Sequence, residues 1–88
     1  MPNYKIIWPS IAIEDLKNIK NNISKNRLIE IVNSPKKIIF SEQYQIDEYR
    51  EDCRRILVGN YKILYQSKDN RIDIIRIFNS KHNPINSK

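Results

Sequence analysis

The feature that most constrains the fold is the stretch RRILVGNYKILYQ, residues 54–66, in which a Gly-Asn pair separates two apolar runs. Gly59 and Asn60 both tolerate a positive φ, so the pair predicts the two-residue loop of a β-hairpin. Asp69-Asn70 predicts a second loop of the same kind. The two loops therefore predict three successive antiparallel strands, at residues 53–58, 61–67 and 71–79.

Two-residue loops also predict the register of the strands and hence the two faces of the sheet. Val58 should face Tyr61, and Ile63 should pair with Arg76. The face expected to pack on helices comprises Arg54, Ile56, Val58, Tyr61, Ile63, Tyr65, Ile74, Arg76 and Phe78. The face expected to stay uncovered comprises Arg55, Leu57, Lys62, Leu64, Ile75 and Ile77, with Gln66 and Asp73 near one end. A slip of one residue would exchange the two faces.

The N-terminal part of the chain predicts a strand followed by a helix. Residues 4–8 form a short apolar strand that Pro9 ends, and Ser10 is placed to cap the next helix. The spacing of four apolar residues puts them on one face of that helix. These are Ala12, Leu16, Ile19 and Ile23.

A second, shorter helix and an acidic segment follow. The helix is predicted from about residue 25 to residue 33, where Asn33-Ser34-Pro35 stops it. Its apolar face would be formed by Leu28, Ile29 and Val32. Residues 41–52 are polar, and we expect a loop or irregular strand there, packed by Tyr44, Ile46 and Tyr49.

Together these elements predict a single α+β domain over residues 1–88, because a chain of this length has room for one core only. We expect a mainly antiparallel sheet of three or four strands, with the two N-terminal helices packed on one face. Residues 4–8 should join the sheet beside the last strand, and residues 80–88 should form a flexible tail.

Charge is unevenly distributed along the chain, whose formal net charge is +6. Residues 41–52 carry five acidic residues and one basic residue, whereas the segment after them is strongly basic. Such a pattern suits a polyanion or an acidic protein partner, although a simply solvated surface explains it equally well.

Several chemical classes find no support in the sequence. Cys53 is the single cysteine, so no internal disulfide is possible and a cytoplasmic setting is expected. There is no signal-like segment or membrane span, no His/Cys ligand set, no phosphate loop and no nucleophile elbow. We therefore expect no cofactor, no metal and no membrane association.

Three segments carry a resemblance to a known family: YKIIWPSIAIEDLKNIK, CRRILVGNYKILYQ and IDIIRIFNSKHNP. In this order they resemble the RelE/ParE superfamily of type II toxins over nearly the whole chain. The resemblance implies a small toxin that a cognate antitoxin, encoded by a neighbouring gene, binds and suppresses. The predicted antitoxin contacts are the apolar residues of the uncovered face, Leu57, Leu64, Ile75 and Ile77.

The resemblance leaves two mechanisms open. RelE-like members cut mRNA in the ribosome, and on that reading the catalytic residues are Lys62, Arg55 and His82. Further RNA or phosphate contacts would come from Arg54, Arg76 and Lys81. ParE-like members instead inhibit DNA gyrase and are not nucleases. Two departures weaken the first reading: Cys53 stands at one of the family's basic sites, and no tyrosine follows Tyr65.

The leading hypothesis from sequence is a ribosome-dependent mRNA endonuclease. In that chemistry cationic donors stabilise the pentavalent phosphate, and a group such as an imidazole moves a proton. The alternatives are a non-enzymatic toxin acting on gyrase and an interaction module that has lost its toxicity.

Overall fold

A computed structural model of the chain describes residues 4–81, which form two helices and one four-stranded sheet. The order along the chain is β1 (Lys5–Ile7), α1 (Ser10–Ile19), α2 (Lys25–Asn33), β2 (Arg54–Val58), β3 (Tyr61–Lys68) and β4 (Arg71–Asn79). Short 3₁₀ turns follow the helices, at Lys20–Asn22 and Ser34–Lys37. The strands lie in the order β1-β4-β3-β2.

Both predicted hairpins are present and have two-residue loops. Val58 pairs with Tyr61 across the first loop, and Lys68 pairs with Arg71 across the second. Among the described non-terminal residues only the first residue of each loop, Gly59 and Asp69, has a positive φ. This backbone is the one that a right-handed twist between adjacent strands favours.

The predicted register is wrong in the second half of β4. Ile74 pairs with Tyr65, but the next pair is Leu64 with Arg76, so Ile75 is an extra residue in a β-bulge. Ile63 consequently pairs with Ile77 and not with Arg76. The bulge exchanges the faces beyond it, which puts Ile77 in the core and takes Phe78 out of it.

The first strand joins the sheet where it was predicted to. β1 lies parallel to β4, with Lys5, Ile6 and Ile7 beside residues 71–73, and Pro9 turns the chain away into α1. β1 is therefore too short to cover the rest of the outer edge of β4. The sheet is mixed, with antiparallel pairing everywhere except at β1.

The two helices pack on one face of the sheet, as predicted, and enclose the core. Ala12 and Ile31 are the helical residues that are fully buried there. The sheet contributes Ile56, Val58, Tyr61, Ile63, Tyr65, Ile72, Ile74 and Ile77, and Ile38 adds to them from the following loop. No helix among residues 4–81 is long and apolar enough to cross a membrane.

The helix caps and one helical face differ from the predictions. Ser10 is the first residue of α1 and its side chain caps nothing, because Pro9 occupies the N-cap position. Ser24 does cap α2, since its Oγ accepts a hydrogen bond from the Arg27 N–H at 3.1 Å. Ile29 was expected in the core but is exposed, and Ile31 is buried in its place.

Candidate functional site

Residues 41–53, which we call the strap, run along the outer side of β2 and then fold across the sheet face opposite the helices. Ile46 forms a single bridge with Arg54, and the Arg55 N–H donates to the Gln45 carbonyl at 3.0 Å. Further along, the Asp47 N–H donates to the Cys53 carbonyl at 2.9 Å, which closes a loop over residues 47–53. The prediction of a loop or irregular strand here agrees with this geometry, except that Ile46 is half exposed.

The strap covers Lys62. The Lys62 Nζ lies 2.7 Å from Asp47 Oδ1, 5.1 Å from the centre of the Tyr49 ring and 5.7 Å from that of Phe78. Lys62 is 3% exposed and Asp47 is 1% exposed. The ammonium is thus enclosed by one carboxylate and two aromatic faces, an arrangement that stabilises a cation out of water.

The Asp47 carboxylate is held from two sides. Its Oδ2 accepts the backbone N–H groups of Tyr49 at 2.9 Å and Arg50 at 3.0 Å. Burial on its own raises the pKa of Asp47, but Lys62 and the two N–H groups outweigh it, so the pKa lies below the ordinary range. Oδ1 has the Lys62 ammonium as its partner at 2.7 Å.

This geometry corrects the prediction that Lys62 lies on an open sheet face. Lys62, Arg55, Leu57 and Leu64 do share the face opposite the helices, as the register predicted. The face is covered at Lys62 and Leu64, however, and Leu64 is fully buried. In this conformation Lys62 has no surface to offer to a phosphate.

The two arginines at the start of β2 are also bound to the strap. Arg55 donates to Gln45 Oε1 at 3.1 Å and lies 3.8 Å from Glu48 Oε1. Arg54 donates to the Tyr44 carbonyl at 2.8 Å, and the Tyr44 ring meets that of Tyr65 edge to face. Both guanidinium groups are partly exposed, so they keep some capacity for other ligands.

Arg76 binds helix α1. Its Nε and Nη2 donate to the two Asp15 oxygens at 2.8 and 3.1 Å, and this bidentate contact raises the pKa of Arg76. Asp15 Oδ2 also accepts the backbone N–H of Ile77 at 3.0 Å. That N–H lies beyond the end of β1, so Asp15 takes the place of a missing neighbouring strand.

The remaining predicted site residues are dispersed. Lys81 is exposed just after β4, and His82 lies outside the described residues. Of the predicted antitoxin contacts, Leu57 is 57% exposed and Ile75 is partly buried, whereas Leu64 and Ile77 are buried. The prediction that these four residues share one uncovered face is therefore wrong for Leu64 and Ile77, and the proposed antitoxin contacts stay predictions.

The structure offers little for metal or thiol chemistry. Cys53 is buried, and burial raises the pKa of its thiol, as expected for an inert packing residue. Among residues 4–81 no three His, Cys, Asp or Glu side chains lie close enough together to hold a metal ion.

Sequence reasoning missed Asp47 and Phe78 as the partners of Lys62. Asp47 is one of five acidic residues in the strap, and nothing in the sequence sets it apart from Glu48 or Glu51. Phe78 was assigned to the core because the bulge at Ile75 has no sequence signal of its own, such as a glycine.

The sequence matches a known protein family, and the fold is similar to that of a chain in a solved complex. The sequence profile described as "ParE toxin of type II toxin-antitoxin system, parDE" matches residues 6–84. Among solved structures, the chain is similar to one in the toxin-antitoxin complex RelBE2 from Mycobacterium tuberculosis. That match has a TM-score of 0.63 at 17% identity and covers 90% of this chain and 93% of the other. No curated protein sequence matches the chain.

Proposed function

The chain belongs to the family of ParE toxins of type II toxin-antitoxin systems, and from this membership we propose that it arrests growth by inhibiting DNA gyrase in the cytoplasm. One observation carries the choice of mechanism. Lys62, the cation that an mRNA endonuclease of this superfamily would direct at the scissile phosphate, is buried and paired with Asp47 at 2.7 Å.

The other cations support the same proposal. Stabilising a pentavalent phosphate requires donors that are free and converge on one point. Arg76 already donates twice to Asp15, and Arg54 donates to the Tyr44 carbonyl. Arg55 keeps the greatest freedom, but one partly exposed guanidinium is a weak basis for phosphodiester cleavage.

The competing function is a ribosome-dependent mRNA endonuclease. It is favoured by the observation that Arg55 and Lys62 lie on the same face of adjacent strands. This function would require the strap to leave Lys62 before RNA binds. The closed conformation therefore argues for the gyrase target, and the position of the strap is what separates the two candidates.

We also propose that a cognate antitoxin binds the outer edge of β2 at residues 56–58, beyond the part that the strap follows. The solved relative comes from a toxin-antitoxin complex, which supports a partner of this kind. β2 is an edge strand, and Leu57 is its one strongly exposed apolar side chain. An antitoxin segment that folds on binding could add to this edge and cover Leu57.

The deciding experiment is induced expression in a bacterial host, with parallel measurements of plasmid supercoiling and of mRNA 5′ ends. We expect relaxed plasmid, or gyrase-linked DNA breaks, while mRNA stays intact. A purified gyrase supercoiling assay should show inhibition by the toxin alone. New mRNA ends on ribosomes with normal supercoiling would establish the nuclease in its place.

A matched variant sharpens the test. Lys62→Met combined with Asp47→Asn removes the amine without leaving a buried charge and keeps an acceptor for the Tyr49 and Arg50 N–H groups, so the fold should survive. A gyrase inhibitor should keep its toxicity in this variant. A nuclease that relies on Lys62 should lose about 10²–10³ of its rate, the usual cost of removing one transition-state donor.

A further inference from the structure

The segment that joins α2 to the strap presents two adjacent large apolar side chains to solvent. Ile39 is 58% exposed and Phe40 is 53% exposed, so with Leu57 they are the most exposed large apolar residues among residues 4–81. Single exposed apolar residues are ordinary, whereas adjacent ones mark surfaces that bind other molecules. We call residues 36–40 the 36–40 loop.

The 36–40 loop is held in place by its neighbours. Gln43 Oε1 accepts the Ile39 N–H at 2.7 Å, and Gln43 Nε2 donates to the Lys37 carbonyl at 3.2 Å. The Gln43 N–H also donates to the Phe40 carbonyl at 3.1 Å. Ile38 is 4% exposed and packs in the core, which anchors the middle of the loop. A partner that binds the two exposed side chains therefore has little chain to order.

Two lysines border the apolar pair. Lys36 and Lys37 end the 3₁₀ turn Ser34–Lys37 and are exposed, and neither forms an ion pair with any other residue of 4–81. Because Ile38 packs in the core, the loop lies on the helix side of the sheet, away from the face that the strap covers. The loop thus combines a rigid apolar pair with two cations.

We propose that the 36–40 loop is the surface with which the toxin binds gyrase on its DNA, so that Ile39 and Phe40 contact the protein and Lys36 and Lys37 contact DNA phosphates. This inference rests on the proposed inhibition of gyrase. An inhibitor that is not an enzyme acts by contact alone, and the centre of such a contact is apolar and rich in aromatic residues. Gyrase holds a polyanion, so the border between protein and DNA offers an apolar surface beside phosphates.

Two other occupants fit the loop less well. The proposed antitoxin edge lies at residues 56–58, where Leu57 is on the sheet face opposite the helices. A second copy of the chain, related by a twofold axis, would place the same patch against itself. The lysines of both copies would then lie close together, and charges of the same sign repel.

Phe40→Ser tests the apolar contact, and Ile13→Ser is the control, because Ile13 is an exposed apolar residue of α1. The measurement is the toxin concentration that half-inhibits DNA supercoiling by purified gyrase. We expect Phe40→Ser to require about tenfold more toxin or above, and Ile13→Ser to act as the wild type does. Ile39→Ser should repeat the loss if Phe40→Ser does not fold. Unchanged affinity for the cognate antitoxin shows that each variant is folded.

A pair of double variants tests the contact with DNA. Lys36→Gln/Lys37→Gln removes the two lysines of the loop, and Lys17→Gln/Lys20→Gln makes the same change in net charge on and just after α1. Fluorescence anisotropy of labelled toxin measures binding to gyrase, with and without a DNA duplex, at several salt concentrations. We expect the loop variant to bind the DNA complex more weakly, with a log–log salt slope smaller by about two. Without DNA it should bind as the wild type does.

Equal inhibition by Phe40→Ser and Ile13→Ser would overturn the proposal, and so would equal salt slopes for the two double variants. A matching loss of antitoxin affinity in Phe40→Ser would assign the loop to the antitoxin. A wild-type dimer that Phe40→Ser abolishes would assign it to a second copy. If the wild type neither inhibits nor binds gyrase, the proposed function itself is refuted, so the two failures are distinguishable.

Discussion

Lys62 on β3 and Asp47 in the strap form an ion pair at 2.7 Å in which both side chains are almost fully buried. The sheet and the strap each contribute one charge, so neither can adopt this packing without the other. Removing one partner leaves an uncompensated charge in a low dielectric, whereas removing both leaves an apolar contact. The energetics of the pair are therefore strongly non-additive.

The first prediction follows from that non-additivity. Lys62→Met and Asp47→Leu should each lower the free energy of unfolding by about 3–5 kcal/mol, because each leaves one buried charge unpaired. The double variant should lose much less than the sum of the two single losses, and its remaining loss of about 1–3 kcal/mol should come from the Tyr49 and Arg50 N–H groups that Asp47 no longer accepts. Urea denaturation of the four proteins completes the cycle. Additive losses would mean that the pair is solvated and the strap open in solution.

Acid should remove the stabilisation that this pair provides. The pKa of Asp47 is lower in the folded chain than in the unfolded one, so folding favours its ionised form. The stabilisation from ionised Asp47 is complete above the ordinary aspartate pKa of about 3.9. It is lost as the pH falls through the lowered pKa of Asp47 in the folded chain. Thermal denaturation at a series of pH values should therefore show a steeper loss for the wild type than for the Asp47→Leu/Lys62→Met variant. Parallel curves for the two proteins would contradict this prediction.

The Asp15 carboxylate is predicted to fasten helix α1 to β4. Asp15→Ala should cost about 2–4 kcal/mol, because it leaves the Ile77 N–H without its partner and releases Arg76. Asp15→Asn keeps an acceptor for one donor and should cost less. Glu14→Ala, at an exposed position on the same helix, is the control and should change the stability little. Equal effects at residues 14 and 15 would show that the contact does not form.

Local signals account for the parts of the fold that were predicted correctly. Two-residue loops at Gly59 and Asp69 specify the hairpin pairing next to each loop. The period of apolar residues gave the buried face of α1, where Ala12 is fully buried, but not that of α2, where Ile31 is buried and Ile29 is exposed. Pro9 separates the first strand from α1, and Asn33-Ser34-Pro35 marks the end of α2 at Asn33. Each of these features depends on a few residues that are adjacent in sequence.

The candidate site was predicted poorly because it depends on contacts between distant segments. The extra residue at Ile75 shifts the pairing of β4 by one position, and alternation alone gives no reason to place it there. Asp47 reaches Lys62 only after the strap has folded over the sheet. Because Lys62 stands among aliphatic residues, we predicted that it lies on an open surface. A lysine that pairs with a buried carboxylate gives the same sequence pattern.

Leu57 should matter for antitoxin binding and not for stability. It is 57% exposed on the edge strand, so Leu57→Glu removes little buried surface from the free toxin. Loss of an apolar contact at the centre of an interface typically costs ~2 kcal/mol, or roughly thirtyfold in Kd. Titration calorimetry measures the Kd of the cognate antitoxin for the wild type and for each variant. Ile39→Glu, also at an exposed apolar residue, is the control, and equal effects of the two variants would remove Leu57 from the interface.

The last prediction concerns the hairpin loop at Gly59, whose φ of +60° suits glycine. Gly59→Ala should lower the free energy of unfolding by about 1–2 kcal/mol, the cost of a left-handed conformation for a residue with a Cβ. The new Cβ would also lie 2.9 Å from the Arg27 guanidinium carbon. That group is the end of a flexible side chain, so it can move aside, and the backbone term should dominate.

Combining Gly59→Ala with Arg27→Ala separates the two causes, because the second change removes the crowding and leaves φ unaltered. The pair of Arg27 with Glu30 is exposed and contributes little by itself. We therefore expect the double variant to recover only a small part of the loss in chemical denaturation. Gly59→Asn should cost less than Gly59→Ala, since asparagine tolerates a positive φ more readily although its Cβ meets the same guanidinium. If Arg27→Ala instead restores full stability, the steric contact and not the backbone makes glycine necessary at this loop.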